Sequence, residues 1–203
     1  MTPPTVFVVD DNPGVRRSLK ALVEAEGMAV RTFATASEFL AAYDPGESGC
    51  LVLDIRLRGG RNGLDIQDEL RRRHATLPII VVTGYGDVPT SVRAFKGGAV
   101  DYLEKPVPPK RLTERIRACI EIDRRAREVA LRRSALADRI AQLTPRERTV
   151  MDLLALGKSS KSIAVTLHIS VRTVESHRRT VLRKMDVSSA AELARAVAGL
   201  EGP

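Results

Sequence analysis

Thr5-Val6-Phe7-Val8-Val9-Asp10-Asp11-Asn12 stands near the start of the chain, and Cys50-Leu51-Val52-Leu53-Asp54 repeats its pattern some forty residues later. In each, a short, wholly apolar run ends in aspartate. A strand that faces water on one side alternates apolar and polar residues. A run with no polar position is buried on both faces, as in a parallel sheet covered by helices. Working outward, strand-like runs also occupy Ala29–Phe33, Ile79–Val82 and Ala99–Leu103. Between them lie segments of helical period. Val15, Leu19, Leu22 and Val23 precede Gly27, Ala36–Ala42 precedes Asp-Pro-Gly, and Leu64–Arg73 follows Asp54. Val88–Lys96 is closed by Gly97-Gly98, and a helix begins at Lys110. Five βα units predict a doubly wound α/β domain, with its site at the carboxyl ends of the strands.

The side chains at those ends are chemically coherent. Asp10 and Asp11 follow the first strand, Asp54 the third, Thr83 the fourth, and Lys105 the fifth, just before Pro106. Clustered carboxylates repel one another and favour a hard divalent cation such as Mg²⁺, which takes oxygen ligands. A carboxylate beside it can act as nucleophile toward a phosphoryl group. A lysine ammonium and a threonine hydroxyl can stabilise the transferring oxygens. Capping accounts for any one such residue, but poorly for all five on one sheet edge.

The 203 residues allow one large domain or two small ones. Aromatics make up 3%, with no Trp, so the cores must be aliphatic. Net charge is +8 and unevenly spread. Residues 1–121 carry 17 basic and 16 acidic side chains, and residues 122–203 carry 16 and 9. A basic second half beside a near-neutral first half points to an anionic partner for the second half alone. Nucleic acid is the first candidate, a membrane surface the second, and a solubilising excess of charge the bland alternative. Cys50 and Cys119 stand apart with no metal-ligand spacing, which excludes a zinc finger or a disulfide scaffold. Met-Thr-Pro-Pro lacks the features of a signal peptide, and no apolar run approaches the roughly 18 residues of a membrane span. A cytoplasmic protein with reduced, buried thiols is expected.

Residues 122–143 contain neither Gly nor Pro and are rich in Arg and Ala. Ile122, Ala126, Val129, Arg133, Leu136, Ile140 and Leu143 follow a heptad seam weakened by Ala126 and Arg133. Two readings stay open: a helical linker that pairs across a dimer, or a solvated spacer. Thr144-Pro145-Arg146-Glu147 then forms a capping box. Four short helices follow: one running to Leu156, one over Ser160–Leu167, one after Ser170, and one over Ala190–Ala198. On the third, Arg172, Glu175, Ser176, Arg179 and Arg183 share a face opposite Val174, His177, Arg178, Val181 and Met185. A polar, arginine-bearing face fits a recognition helix in a major groove, with Arg179, Ser176 and Glu175 toward bases. Lys161, Ser170, Arg172, Thr173 and Lys184 are candidates for phosphates.

Val8-Val9-Asp10-Asp11-Asn12, Leu53-Asp54, Val82-Thr83-Gly84 and Glu104-Lys105-Pro106 together resemble the receiver domain of two-component response regulators. Thr83-Gly84-Tyr85-Gly86-Asp87-Val88-Pro89 and Lys96 through Pro106 narrow the resemblance to the FixJ subfamily. The resemblance implies that Asp54 is the phosphoacceptor. It implies that Asp10, Asp11, Asp54 and the Arg56 carbonyl hold Mg²⁺. Thr83 and Lys105 would contact the phosphoryl group, Thr83 and Tyr102 would form the switch, and the Lys105–Pro106 bond would be cis. A histidine kinase would be the phosphoryl donor, and the chemistry would be confined to the receiver's own aspartate. The family usually has Pro where Arg58 stands, and the Arg58–Gly63 loop is one residue longer. Val107-Pro108-Pro109 departs from the family pattern as well. Ile169-Ser170-Val171-Arg172-Thr173-Val174-Glu175-Ser176-His177, with Thr144-Pro145-Arg146-Glu147 and Gly157 through Ala164, is similar to the LuxR-type helix-turn-helix. Ser160 replaces the usual Asn.

The resulting expectation is a receiver at 1–121, a helical linker at 122–140 and a helix-turn-helix domain at 141–203. Phosphorylation would promote homodimerisation, through the face made by the fourth helix, fifth strand and fifth helix, and binding to promoter DNA. Two alternatives remain open. A regulator with a vestigial receiver would bind DNA without phosphorylation. An aspartate-nucleophile phosphatase would need Asp-x-Asp, whereas Asp10 and Asp11 are adjacent.

Overall fold

A computed structural model describes residues 3–57, 63–73, 75–84 and 88–199. The chain divides into two compact units, Met1–Arg127 and Glu128–Pro203. Most of the Arg58–Gly63 loop, His74 and the Tyr85-Gly86-Asp87 part of the family motif lie outside the described residues.

In the first unit, strands β1 (Thr5–Val9), β2 (Ala29–Phe33), β3 (Gly49–Leu53), β4 (Ile79–Thr83) and β5 (Ala99–Glu104) form one parallel sheet in the order β2-β1-β3-β4-β5. Helices α1 (Pro13–Ala25), α2 (Ala36–Ala42), α3 (Gly63–Arg72), α4 (Val88–Lys96) and α5 (Pro109–Ala141) follow the strands in turn. The expected doubly wound fold is present.

The apolar runs are buried on both faces, as their composition requires. Phe7, Val9, Leu51, Leu53, Ile79 and Val81 point to one side and pack with Phe39 and Leu40 of α2, Leu64, Ile66 and Leu70 of α3, and Ala94 of α4. Val6, Val8, Cys50, Val52, Ile80 and Val82 point to the other and pack with Val23 of α1 and Leu112, Ile116 and Cys119 of α5. Both cysteines are free and buried in this second layer. The central strands β3 and β4 are wholly buried, whereas β2 at one edge is only half-buried. Arg31 on that edge meets Glu47 at 2.8 Å.

Asn12 starts α1, its Oδ1 accepting the Gly14 N–H at 2.8 Å, with Pro13 at the first helical position. The same turn places Asp10 and Asp11 at the mouth of the sheet. At the far end, α5 is held by a buried carboxylate that the sequence reading did not single out. Asp123 is fully buried; it accepts from Ser48 Oγ at 2.6 Å, the Gly49 N–H at 3.0 Å and Arg127 Nε at 2.8 Å. Arg127 also donates to the carbonyls of Pro45, Gly46 and Glu47. The first unit therefore packs as far as Arg127.

The second unit contains the end of α5, then α6 (Pro145–Ala155), α7 (Ser160–Leu167), α8 (Val171–Met185) and α9 (Ala190–Ala198). Each of the last four begins with a hydroxyl cap: Thr144, Ser159, Ser170 and Ser189. Thr144 and Glu147 form the reciprocal capping box that their spacing predicts. Val150, Leu154, Ile163, Val174, Val181, Met185 and Leu193 form the core. Ile140 and Leu143, the last two positions of the heptad seam, are buried in it. The earlier seam positions Ile122 and Val129 are exposed. Among the described residues no helix is long and apolar enough to cross a membrane.

Candidate functional site: an acidic cluster and a polar helix face

The parallel register brings the five strand-end residues together. Asp10 N–H bonds to Phe33 O at 3.2 Å, and Asp54 N–H to Val9 O at 2.9 Å, so each carboxylate leaves the sheet from a fixed backbone. Lys105 N–H bonds to Thr83 O at 2.8 Å and aligns the ends of β4 and β5 in the same way. One carboxylate oxygen from each of Asp10, Asp11 and Asp54 lies within 4.8 Å of the others. Asp10 and Thr83 are almost wholly buried, and Asp54 is 8% exposed.

Lys105 bridges the cluster. Its Nζ lies 2.7 Å from Asp10 Oδ2 and 2.6 Å from Asp54 Oδ2. Burial opposes the ammonium's charge, but its hydrogen bonds to Asp10 and Asp54 and their negative charges outweigh that. The Lys105 pKa is held above its ordinary value. The remaining carboxylate oxygens are oriented by backbone. Asp10 Oδ1 accepts the Asn12 N–H at 2.8 Å, and Asp54 Oδ1 accepts the Arg56 N–H at 3.0 Å. Gly63 passes so close behind Asp54 that a Cβ there would lie 2.3 Å from Asp54 O. Thus a glycine is needed where α3 begins. Tyr102 on β5 is partly buried against the layer containing Phe39 and Leu64. The Lys105–Pro106 bond is cis, as the resemblance implies.

The donor set suits a hard cation. Three carboxylates supply oxygens within 4.8 Å of one another, and octahedral Mg²⁺ needs a few such ligands completed by water or substrate oxygens.

In the second unit, His168 takes a left-handed conformation (φ 52°) after α7, and Ser170 then caps α8 by accepting the Thr173 N–H at 3.0 Å. Arg172, Thr173, Glu175, Ser176, Arg179 and Arg183 are exposed on α8, while Val174, Val181 and Met185 are buried. Lys161 on α7 and Ser170 are exposed as well. His177 and Arg178 lie at the margin between the two faces. Lys184 does not join the exposed set. Half-buried, its ammonium bonds to Glu147 Oε2 at 2.7 Å and Gln142 O at 3.1 Å. That hydrogen bond, with the Thr144 N–H, pulls the Glu147 pKa down to about 2.

Comparison with known proteins divides the chain in the same order. A family model for the response regulator receiver domain matches residues 6–117. A second, for bacterial regulatory proteins of the luxR family, matches residues 141–197. Nodulation protein W of Bradyrhizobium diazoefficiens is 43% identical over 190 residues, 94% of this chain and 83% of the relative. Transcriptional regulatory protein FixJ of Azorhizobium caulinodans is 42% identical, over 94% of this chain and 90% of the relative. Among solved structures, the response regulator StyR superposes with a TM-score of 0.88 at 37% identity, covering 97% of this chain and 99% of that one. Full-length FixJ from B. japonicum superposes with a TM-score of 0.60 at 39% identity, covering 98% of both.

Proposed function

Because the chain belongs to the two-component response regulators that join a receiver domain to a LuxR-type DNA-binding domain, we propose that Asp54 is its phosphoacceptor, controlling dimerisation and promoter binding. The family is one of transcription regulators rather than of stand-alone enzymes, which sets the phosphatase alternative aside. A receiver implies a histidine kinase as partner, and a LuxR-type domain implies DNA.

The observation that carries the proposal is the Lys105 bridge between Asp10 and Asp54, beside the buried Thr83. One Asp54 oxygen attacks the phosphorus of a phosphohistidine. The P–N bond breaks and the imidazole leaves, so that Asp54 carries an acyl phosphate. Lys105 is already within hydrogen-bond reach of the oxygen that would carry it, and Thr83 can donate its hydroxyl to a phosphoryl oxygen. Asp10, Asp11, Asp54 and the Arg56 carbonyl would hold Mg²⁺. When bound, the ion neutralises charge on the transferring oxygens. Phosphorylation and hydrolysis of its own aspartate are the extent of the chemistry.

Once phosphorylated, Asp54 offers Lys105 and Thr83 new acceptors, and Thr83 and Tyr102 move inward as the switch. Val88, Val92 and Phe95 leave α4 with an exposed apolar surface suited to a second copy. A dimer then presents two α8 helices to a two-fold-related site. Arg179, Glu175 and Ser176 would read base edges, while Lys161, Ser170, Arg172, Thr173 and Arg183 would meet the backbone. Lys184, taken up by Glu147, is left out of that set. On this reading the receiver is residues 1–121, the linker 122–140 and the DNA-binding domain 141–203. The protein works in the cytoplasm.

Solution mass and DNA binding, compared between the wild type and Asp54→Asn, test this. Each is measured with and without Mg²⁺ and beryllofluoride, a phosphoryl mimic. The wild type dimerises and tightens on DNA only with both additions, and Asp54→Asn responds to neither. Equal binding by both proteins in every condition would overturn the proposal and favour a receiver that does not control DNA binding.

A further inference from the structure

Helix α8 carries one acidic residue, Glu175, among Arg172, Arg178, Arg179 and Arg183. It lies past the first turn, so neither the Ser170 cap nor the positive end of the helix dipole makes use of it. Its neighbour Val174 is buried, whereas Glu175 is exposed on the face that also presents Arg172 and Arg179.

Acids on other helices are spent on neighbouring cations. Asp68 meets Arg71 at 2.7 Å, Glu69 meets Arg73 at 2.9 Å and Glu121 meets Arg125 at 2.7 Å. Each partner stands three or four residues on, the usual spacing of ion pairs on an exposed helix face. Arg178 and Arg179 stand at the same spacings from Glu175, and Arg172 lies three residues before it. Among the described residues, the Glu175 carboxylate joins none of them. Both of its oxygens are free to accept.

The chemistry of the major groove says what they can accept. A carboxylate carried toward DNA is repelled by the phosphates, so it costs affinity unless it finds a donor. Two base groups offer one there, the amino groups at cytosine N4 and adenine N6. Adenine sets its N7 acceptor beside that amino group, where it repels the second carboxylate oxygen. Cytosine has no acceptor beside its own. On the reading of α8 as the helix that enters the major groove, we infer that Glu175 selects cytosine at one position of each half-site by accepting its N4–H. Arg179, one turn along the same face, suits a guanine, so both contacts favour G·C pairs.

Sites are selected from random duplex DNA by the full-length protein with Mg²⁺ and beryllofluoride, and then by Glu175→Gln and Glu175→Ala. The wild type selects cytosine at one position per half-site. Glu175→Gln moves that position to adenine, because a glutamine amide pairs with N6 and N7 together. Glu175→Ala accepts any base there and binds random DNA no more weakly than the wild type does. The cytosine is then replaced by 2-pyrimidinone, which lacks the amino group. That change weakens the wild type at least about fivefold beyond its effect on Glu175→Ala. Because the side chain is exposed and unpaired, all three proteins melt alike. The proposal is overturned if Glu175→Gln selects the same site as the wild type, or if loss of the amino group weakens the wild type and Glu175→Ala equally. Either result leaves DNA binding by α8 standing. A wild type that selects no sequence at all overturns that reading as well.

Discussion

Lys105 Nζ lies 2.6 Å from Asp54 Oδ2, and the same ammonium reaches Asp10 Oδ2 at 2.7 Å. One cation thus holds two buried carboxylates apart from each other's charge. Lys105→Ala leaves both facing each other unshielded. Breaking a fully buried pair costs about 3–5 kcal/mol, and the lysine's partial exposure brings the expected loss nearer about 2 kcal/mol. Mg²⁺ then raises the melting temperature of Lys105→Ala more than that of the wild type, because it supplies the missing positive charge. The sign with pH follows from the raised Lys105 pKa. Its contribution is complete below the unfolded value of about 10.4 and is lost only as pH rises through the higher folded value. Thermal melts with and without Mg²⁺ check the first statement; an alkaline series checks the second.

Asp123 is another buried carboxylate paired with a cation, Arg127, and its role is mechanical. Asp123→Ala strips acceptors from Ser48 Oγ, the Gly49 N–H and Arg127 together. An expected loss of about 3 kcal/mol is confined to the first unit. Native-state hydrogen exchange reads it locally, as faster exchange at Gly49 and the neighbouring amides of β3. Asp123→Asn keeps an acceptor oxygen and loses less. Unchanged exchange in Asp123→Ala would show that the interaction contributes no stability.

How legible such features were depended on how far apart the residues are in sequence. The strands could be read because Val6 through Val9 and Cys50 through Leu53 contain no polar position. Parallel order then follows, and it carries Asp10, Asp54, Thr83 and Lys105 to one edge. The caps on α6 and α8 are local and could be read, and so could the polar face of α8. The Asp123–Ser48 bond joins residues 75 apart, and nothing local to either announces the other. The Lys184 ion pair was hidden for a similar reason. The lysine sits on the flank of the apolar stripe, three residues after Val181, and whether it turns outward depends on Glu147 of another helix. The heptad seam is one periodicity put to two uses, since Ile140 and Leu143 enter a core while Ile122 and Val129 stay exposed.

Glu147 makes the second unit acid-sensitive in a defined window. Lys184 and the Thr144 N–H hold its folded pKa at about 2. A depressed folded pKa contributes stability that is present above the unfolded value of about 4.3 and lost as pH falls toward about 2. Melts of the full chain over that interval show a falling midpoint for the second unit. Glu147→Gln is less stable at neutral pH and flattens that dependence. Thr144→Ala removes the hydroxyl cap, costs about 1 kcal/mol at neutral pH, and keeps the Thr144 N–H that Glu147 accepts.

The exposed face of α8 separates reading from anchoring. Arg179 is central on that face, with Glu175 and Ser176 one turn before it and Arg183 one turn after. An arginine that pairs with a guanine edge is worth about 1–3 kcal/mol of discrimination. Arg179→Ala therefore weakens the preferred site by that amount and relaxes the preference at one base pair, leaving nonspecific binding nearly intact. Lys161 is exposed on α7, and as a phosphate contact it would carry no sequence information. Lys161→Ala weakens all sequences alike and lowers the slope of log affinity against log salt by about one. Lys184→Ala, by contrast, leaves that slope unchanged and lowers the melting temperature, because its ammonium is spent on Glu147. Affinity measured across a salt series on a selected site and on random DNA distinguishes the three variants. A reduced slope for Lys184→Ala would return that lysine to the DNA backbone.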